Sequence, residues 1–261
     1  MEQLYVHSAS LLNAVIGASW LSMLRLVLIG ALLPVEPELD EPRPTSTTIS
    51  ALPVALVLSA TVAEQYQGAL ERLAGRRAQL ATLPQTDRVA AAREVLLAVF
   101  DEALFPAWEG TPWDFYGTSE TPREGKIACG YYVTTLLRDA GFHLERVKLA
   151  QLASEHLVKT LAAEGEILRL RGASPAEVVK QVRQRYGPGL YVVGMDFHVG
   201  LLRLTADGAK LCHAAFLGAA RTTCENAEDS PGLASGSHVV GPVLSDARVA
   251  DWLAGREIPL R

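Results

Sequence analysis

Cys129, His198 and His213 are the residues of this 261-residue chain whose types and spacing suit nucleophilic chemistry. A thiol becomes a strong nucleophile when ionised, and an imidazole is the side chain best matched to taking its proton near neutral pH. Cys129 stands at the start of the apolar run 128–140. A helix there leaves backbone N–H groups free to favour a thiolate and to hold an oxyanion. His198 opens the strand-like run FHVGLLRL, and His213 lies in the next such run, AKLCHAAF. If residues 205–208 form the intervening loop, Leu204 opposes Ala209 and His213 opposes Gly200. His213 is then the diagonal neighbour of His198 on one sheet face. A two-residue Asp207-Gly208 loop keeps the shared face but sets His213 opposite Leu202. In both registers His213 is a candidate to accept the Nδ1–H of His198 and fix its tautomer, as triad logic requires. Asp196, two residues before His198, competes for that role, and Gly200 leaves room beside the rings.

The segment WEGTPWDFYGTSETP, residues 108–122, concentrates aromatic side chains just upstream of Cys129. Trp113 and Tyr116 are its candidate substrate contacts, with Trp108 and Phe115 beside them, although such a cluster equally suits plain core. Three cysteines, Cys129, Cys212 and Cys224, leave at least one thiol unpaired within the chain and define no disulfide framework; a Cys212–Cys224 pair stays open. No CxxC pair, HExxH or two-histidine helical spacing occurs, so neither a metal site nor a cofactor is expected. A formal net charge of -5, with basic residues scattered along the chain, provides no electrostatic footprint for nucleic acid.

The elements that must position these residues divide the chain into four segments. Residues 1–36 are largely apolar, and the stretch 11–35 is long enough to cross a bilayer but is interrupted by Asn13, two serines and Arg25. It reads as a signal or membrane anchor, which places the protein outside the cytoplasm or on a membrane, or else as an apolar helix packed on the domain. Residues 37–52 are rich in proline, threonine, serine and acid and suit a linker. In 53–106 two helices are expected, 53–80 and 87–104, the second capped by Asp87 and closed by Phe105-Pro106. Residues 107–261 hold the helix at 128–140, ended by Gly141, and one longer helix over 147–161. A helix behind Ser174-Pro175-Ala176-Glu177 and a last one capped by Ser245 and ending near Gly255 complete the set. The strand-like runs LYVVG, FHVGLLRL and AKLCHAAF sit between these last two helices. Helices followed by a meandering sheet argue an α+β fold with an antiparallel sheet.

Taken in order, GTPWDFYGT, IACGYYVTTLLRDAGF, PGLYVVGMDFHVGLLRL and CHAAF resemble NlpC-type cysteine peptidases of the papain-like superfamily over roughly 108–216. The resemblance implies a papain-like fold, with Cys129 as nucleophile, His198 as base and His213 as the third member. It also implies cleavage of amide or peptide bonds, in many members those of cell-wall peptides, so a peptide or peptidoglycan-like partner. The family's acidic residue before the cysteine and serine after it are Ala128 and Gly130 here, and its upstream tyrosine matches Trp113. Two rival readings follow. Permuted relatives place the cysteine after the histidines and act on acyl or lipid substrates, which would move the nucleophile to Cys224. That residue lacks a following helix to activate it. The other rival is an inactive module that holds a cell-envelope ligand in the aromatic groove.

Overall fold

The computed structural model describes residues 61–261. The apolar stretch, the linker and the first residues of the 53–106 segment lie outside the described residues. The architecture is α+β, with helices first and then an antiparallel six-stranded sheet of order β1-β6-β2-β3-β4-β5. Among the described residues no helix is long and apolar enough to cross a membrane.

Helix α1, Val62–Leu80, starts behind a capping box: Thr61 Oγ1 accepts from the Glu64 amide and the Glu64 carboxylate accepts from the Thr61 amide. Helix α2, Gln85–Val99, begins two residues before Asp87, directly after Pro84, so Asp87 is a first-turn acid and not the cap. Its C-terminal end also differs from expectation. Instead of stopping at Phe105-Pro106, the helix widens into a π turn at Phe100–Leu104 and runs on as α3, Phe105–Trp108. A wider turn is one way a helix accommodates a proline ring that would strike the carbonyl of the preceding turn. Tyr66, Leu73, Leu96, Phe100 and Trp108 share one core with Tyr132 and Leu136 of α4, Cys129–Asp139, and Trp252 of α8, Asp246–Ala254. Trp108 donates to Tyr66 Oη at 3.0 Å, and Tyr66 donates to Asp139 at 2.7 Å. The first helices therefore brace α4, the helix that carries Cys129.

The expected single helix over 147–161 is two, α5, Arg146–Ala150, and α6, Ser154–Leu161. The break has a tertiary cause. Ser154 Oγ donates to Met195 O at 2.6 Å, drawing the start of α6 to the sheet, and the Ala150 backbone lies against Gly130 of α4. Helix α7, Pro175–Tyr186, follows its Ser174 cap as expected, and Gly187 ends it at positive φ. Ser245 precedes α8, but its hydroxyl makes no capping bond.

Strand β1, Leu168–Arg171, pairs with β6, Ser237–Pro242, which pairs with β2, Gly189–Met195. β2 forms a tight hairpin with β3, Val199–Leu204, and β4, Ala209–Ala214, and β5, Thr222–Asn226, complete the sheet. Strands β1, β5 and β6 were not expected from the sequence: β1 alternates, as LRLR, but over four residues only, and β5 and β6 carry no clear alternation. Both faces of the sheet are covered, which explains why β2 to β4 read as almost continuously apolar. Leu190, Val192, Val199 and Leu201 belong to the core shared with α4, while Tyr191, Val193, Leu202 and Leu211 pack with Val178, Val179 and Val182 of α7. Leu204 faces Ala209 and Leu201 faces Cys212, the register of the four-residue loop; continued, it sets His213 against Gly200.

Candidate active site

Cys129 is the first residue of α4, with Ala128 in extended conformation as its N-cap. The first amides of a helix have no partner within it. The amides of Val199 and Gly130, and that of Cys129 itself, act on the sulfur and favour its ionised form, yet burial outweighs them and pushes the thiol up. The resting side chain of Cys129 is therefore a thiol, where the helix start alone suggests a thiolate. Gly130 has a steric explanation: a Cβ there would lie 2.2 Å from the Ala150 carbonyl oxygen. The serine that follows the cysteine in the NlpC-type pattern does not fit this close approach of α4 and α5.

His198 does not open a strand that runs from Phe197. β2 ends at Met195, whose amide bonds to His198 O at 2.8 Å, and Asp196 and Phe197 form the turn. His198 consequently sits at the end of the sheet, where its ring reaches the same cavity as Cys129. Its Nε2 lies 2.7 Å from Nδ1 of His213, and its own Nδ1 is buried with no hydrogen-bond partner among the described residues. His213 thus meets His198 as the register predicts, but through the opposite ring nitrogen. The Nδ1 expected to be held by His213 is the one left open. Asp196 is not the orienting group, because its carboxylate accepts from Ser235 Oγ and the Gly236 amide, each at 2.9 Å, and from Ser237 Oγ.

Behind His213 stands a residue the sequence reading missed. Oε1 of Glu225, on β5, lies 3.4 Å from Nε2 of His213, an electrostatic contact to a nitrogen that has no full hydrogen bond among the described residues. Ser230 Oγ donates to the same carboxylate oxygen. Glu225 lies in a segment with no periodicity to place it, and only the pairing of β4 with β5 brings it beneath His213. The carboxylate is an acceptor alone, so it favours the proton of His213 on Nε2. His213 Nδ1 is then an acceptor, His198 donates from Nε2, and His198 Nδ1 keeps a lone pair. Burial, and after it the neighbouring His213, push His198 down to about 3, so the ring is neutral across ordinary pH. His213 is also lowered, chiefly by burial, while Glu225 acts in the other direction. Gly232 makes room for the His213 ring, since a Cβ there would come 2.4 Å from Cε1, and Gly200 lies against the His213 Cβ.

The cavity shared by Cys129 and His198 has a volume of about 660 Å³ and includes Trp113 and Tyr116, the two expected substrate contacts. Trp113 stacks at a tilt on Phe216, with ring centroids 6.1 Å apart, and Phe216 lies edge-on to His198 at 5.4 Å. Trp108, by contrast, is wholly buried core. The loop bearing these aromatics is tied at both ends. The Trp113 amide bonds to Ala220 O at 2.8 Å, and the buried Arg146 guanidinium donates to Thr118 O and Ser119 O at 2.9 and 2.8 Å.

Cys224 lies apart from this arrangement. It is bonded to Cys212 across β4 and β5, with Cα atoms 4.0 Å apart, and lines a different cavity, which leaves Cys129 as the free thiol. Among the described residues no group of three or more histidine, cysteine, aspartate or glutamate side chains could hold a metal ion. No protein-family model matches this chain, and no curated protein matches it, so the functional reading rests on the geometry of the site itself.

Proposed function

We propose that the protein is a papain-like cysteine hydrolase of amide or peptide bonds, with Cys129 as nucleophile, His198 as general base and His213 as the group that orients it. One observation carries this reading: a free thiol at a helix start and a buried imidazole with an open Nδ1, itself bonded to a second imidazole, line one cavity.

The neutral resting pair determines the order of events. As the sulfur attacks a substrate carbonyl, its proton passes to Nδ1 of His198. The thiolate character forming beside the ring favours the imidazolium, so the two charges arise together. The oxyanion takes a hydrogen bond from the Cys129 amide at the start of α4. The C–N bond then breaks as His198 returns the proton to the leaving amine, leaving a thioester on Cys129. Water, deprotonated by His198, attacks that thioester; the acid departs and the thiol regains its proton. Between these proton transfers His213 and Glu225 hold His198 in the tautomer whose lone pair is on Nδ1.

The resemblance to NlpC-type peptidases adds cell-wall peptides as the first substrates to test. The Cys212–Cys224 disulfide suits an oxidising compartment and supports an exported or membrane-anchored protein. The test is alkylation of the native protein by iodoacetamide across pH, with the modified residue mapped by mass spectrometry. Selective modification of Cys129 that slows at least tenfold in His198→Ala supports the base assignment. A Cys129 that stays unreactive in the native protein would instead favour a binding module, and full hydrolytic activity in both Cys129→Ala and His198→Ala would sink the assignment.

A further inference from the structure

The walls of the Cys129 cavity contain no aspartate, glutamate, lysine or arginine. Six aromatic rings line it, those of Trp113, Phe115, Tyr116, Tyr131, Phe197 and Phe216. Three of these stand far out in solvent, Phe115 at 71%, Tyr116 at 84% and Phe197 at 95% exposure. Single exposed aromatics are ordinary, but several gathered around the mouth of a cavity that holds a nucleophile mark a surface built to meet an apolar group.

The charges closest in sequence are tied elsewhere. Asp114, between Trp113 and Phe115, accepts from Lys126 Nζ at 3.0 Å and from the Tyr116 amide at 2.9 Å. Asp196, beside Phe197, is occupied by Ser235, Gly236 and Ser237. Arg146 lies over the Tyr131 ring, 4.9 Å from its centroid, and spends its N–H groups on Thr135, Thr118 and Ser119. What the walls do offer is neutral: Gln151 donates to Tyr131 Oη at 3.1 Å, beside Thr118. A ligand carboxylate or ammonium seated next to the scissile bond would lose its water and gain no counter-charge, whereas an alkyl or aryl group meets complementary surface.

We propose that the group held in this cavity, next to the bond that Cys129 attacks, is uncharged and apolar, an aliphatic or aromatic acyl moiety attached through a neutral amide. The proposal rests on the hydrolase reading and narrows it. Peptides that carry a free carboxylate beside the scissile bond are disfavoured, and acyl amides or peptides with apolar side chains there are selected. The volume of the cavity lies within the range of about 300–1,000 Å³ usual for small-molecule sites and suits a chain or ring of moderate size.

The test uses two thiol electrophiles of equal length, N-hexyl chloroacetamide and its analogue ending in a carboxylate, on the full chain. The second-order rate of Cys129 modification is read by mass spectrometry, normalised to the rates with N-acetylcysteine and repeated in His198→Ala and Phe216→Lys. The expected result is a preference of about tenfold or more for the hexyl reagent, reduced or reversed when Phe216→Lys supplies a cation at the wall. Equal normalised rates, or a preference for the carboxylate, overturn the substrate class while a dependence on His198 keeps the hydrolase reading alive. A hexyl preference with no dependence on His198 does the opposite, leaving an apolar binding cavity without an activated thiol. Failure of both reagents to modify Cys129 overturns both.

Discussion

At Cys129 opposing effects meet on one sulfur. The amides at the start of α4 and of Val199 favour the thiolate, and burial favours the thiol and prevails. On the proposed reading, reactivity near neutral pH comes from His198. Replacing His198 by alanine is expected to slow iodoacetamide modification of Cys129 at pH 7.5 by about a hundredfold, the usual range for loss of a positioned base, and to move the pH dependence upward. Glu225 acts one residue further away, through His213. Its replacement by alanine removes the acceptor that favours the proton on His213 Nε2, and a fall of about tenfold in the same rate is expected. An unchanged rate in Glu225→Ala would remove the carboxylate from the proposed relay. The placement of Cys129 at a helix start and of His213 beside His198 was legible because each marks a change of pattern, a helix start or a strand run. Glu225 was not, since nothing in TTCENAEDS signals a partner on the neighbouring strand.

The elements set the tolerances of the site. α4 approaches α5 so closely at Gly130 that any side chain collides with the Ala150 backbone. Gly130→Ser, which restores the residue type of the NlpC-type pattern, is expected to cost about 1–3 kcal/mol, measured by urea denaturation, because backbone and not a flexible side chain must yield. The β4–β5 pair is joined by Cys212–Cys224 at a sequence separation of 12, next to His213 and Glu225. Titration of the unreduced native protein is expected to find one thiol per chain, and the reduced, denatured chain three. Replacing both cysteines by serine is expected to lower stability by about 3 kcal/mol through the freed unfolded chain. Three thiols in the unreduced protein would remove this bond. The local capping signal at Ser174 placed the start of α7 correctly because it acts within one turn. The single helix expected over 147–161 failed because its break is imposed from outside, by the Ser154 contact with the sheet and the seat of Ala150 on Gly130.

At the scale of the whole molecule, folding keeps two neutral imidazoles out of water, and stability must follow pH accordingly. Unfolded, His198 binds a proton below about 6.5, whereas in the folded protein it does so only near 3. Between these values acid favours the unfolded chain, so this contribution is complete above 6.5 and is lost as pH falls toward 3. Wild type is expected to lose about 1.4 kcal/mol more per pH unit between pH 6 and 4 than His198→Gln, in urea unfolding of both proteins. Parallel pH profiles would show that His198 is not held neutral by the fold. The same burial is supplied by elements from across the described residues: α1 to α3 brace α4 from one side, and the sheet, backed by α7, closes the other.

The α+β order of elements, the place of Cys129 at a helix start and the meeting of His198 with His213 follow from the sequence itself. Helix caps and the two-residue period of strands are local properties, expressed wherever those residues occur. The tertiary structure alone decided which ring nitrogen of His198 is left open, that Glu225 stands behind His213, that Cys212 joins Cys224, and that the cavity walls are free of charge. Each of these depends on groups brought together from distant segments, and on where Asp114, Asp196 and Arg146 find partners once the chain has packed.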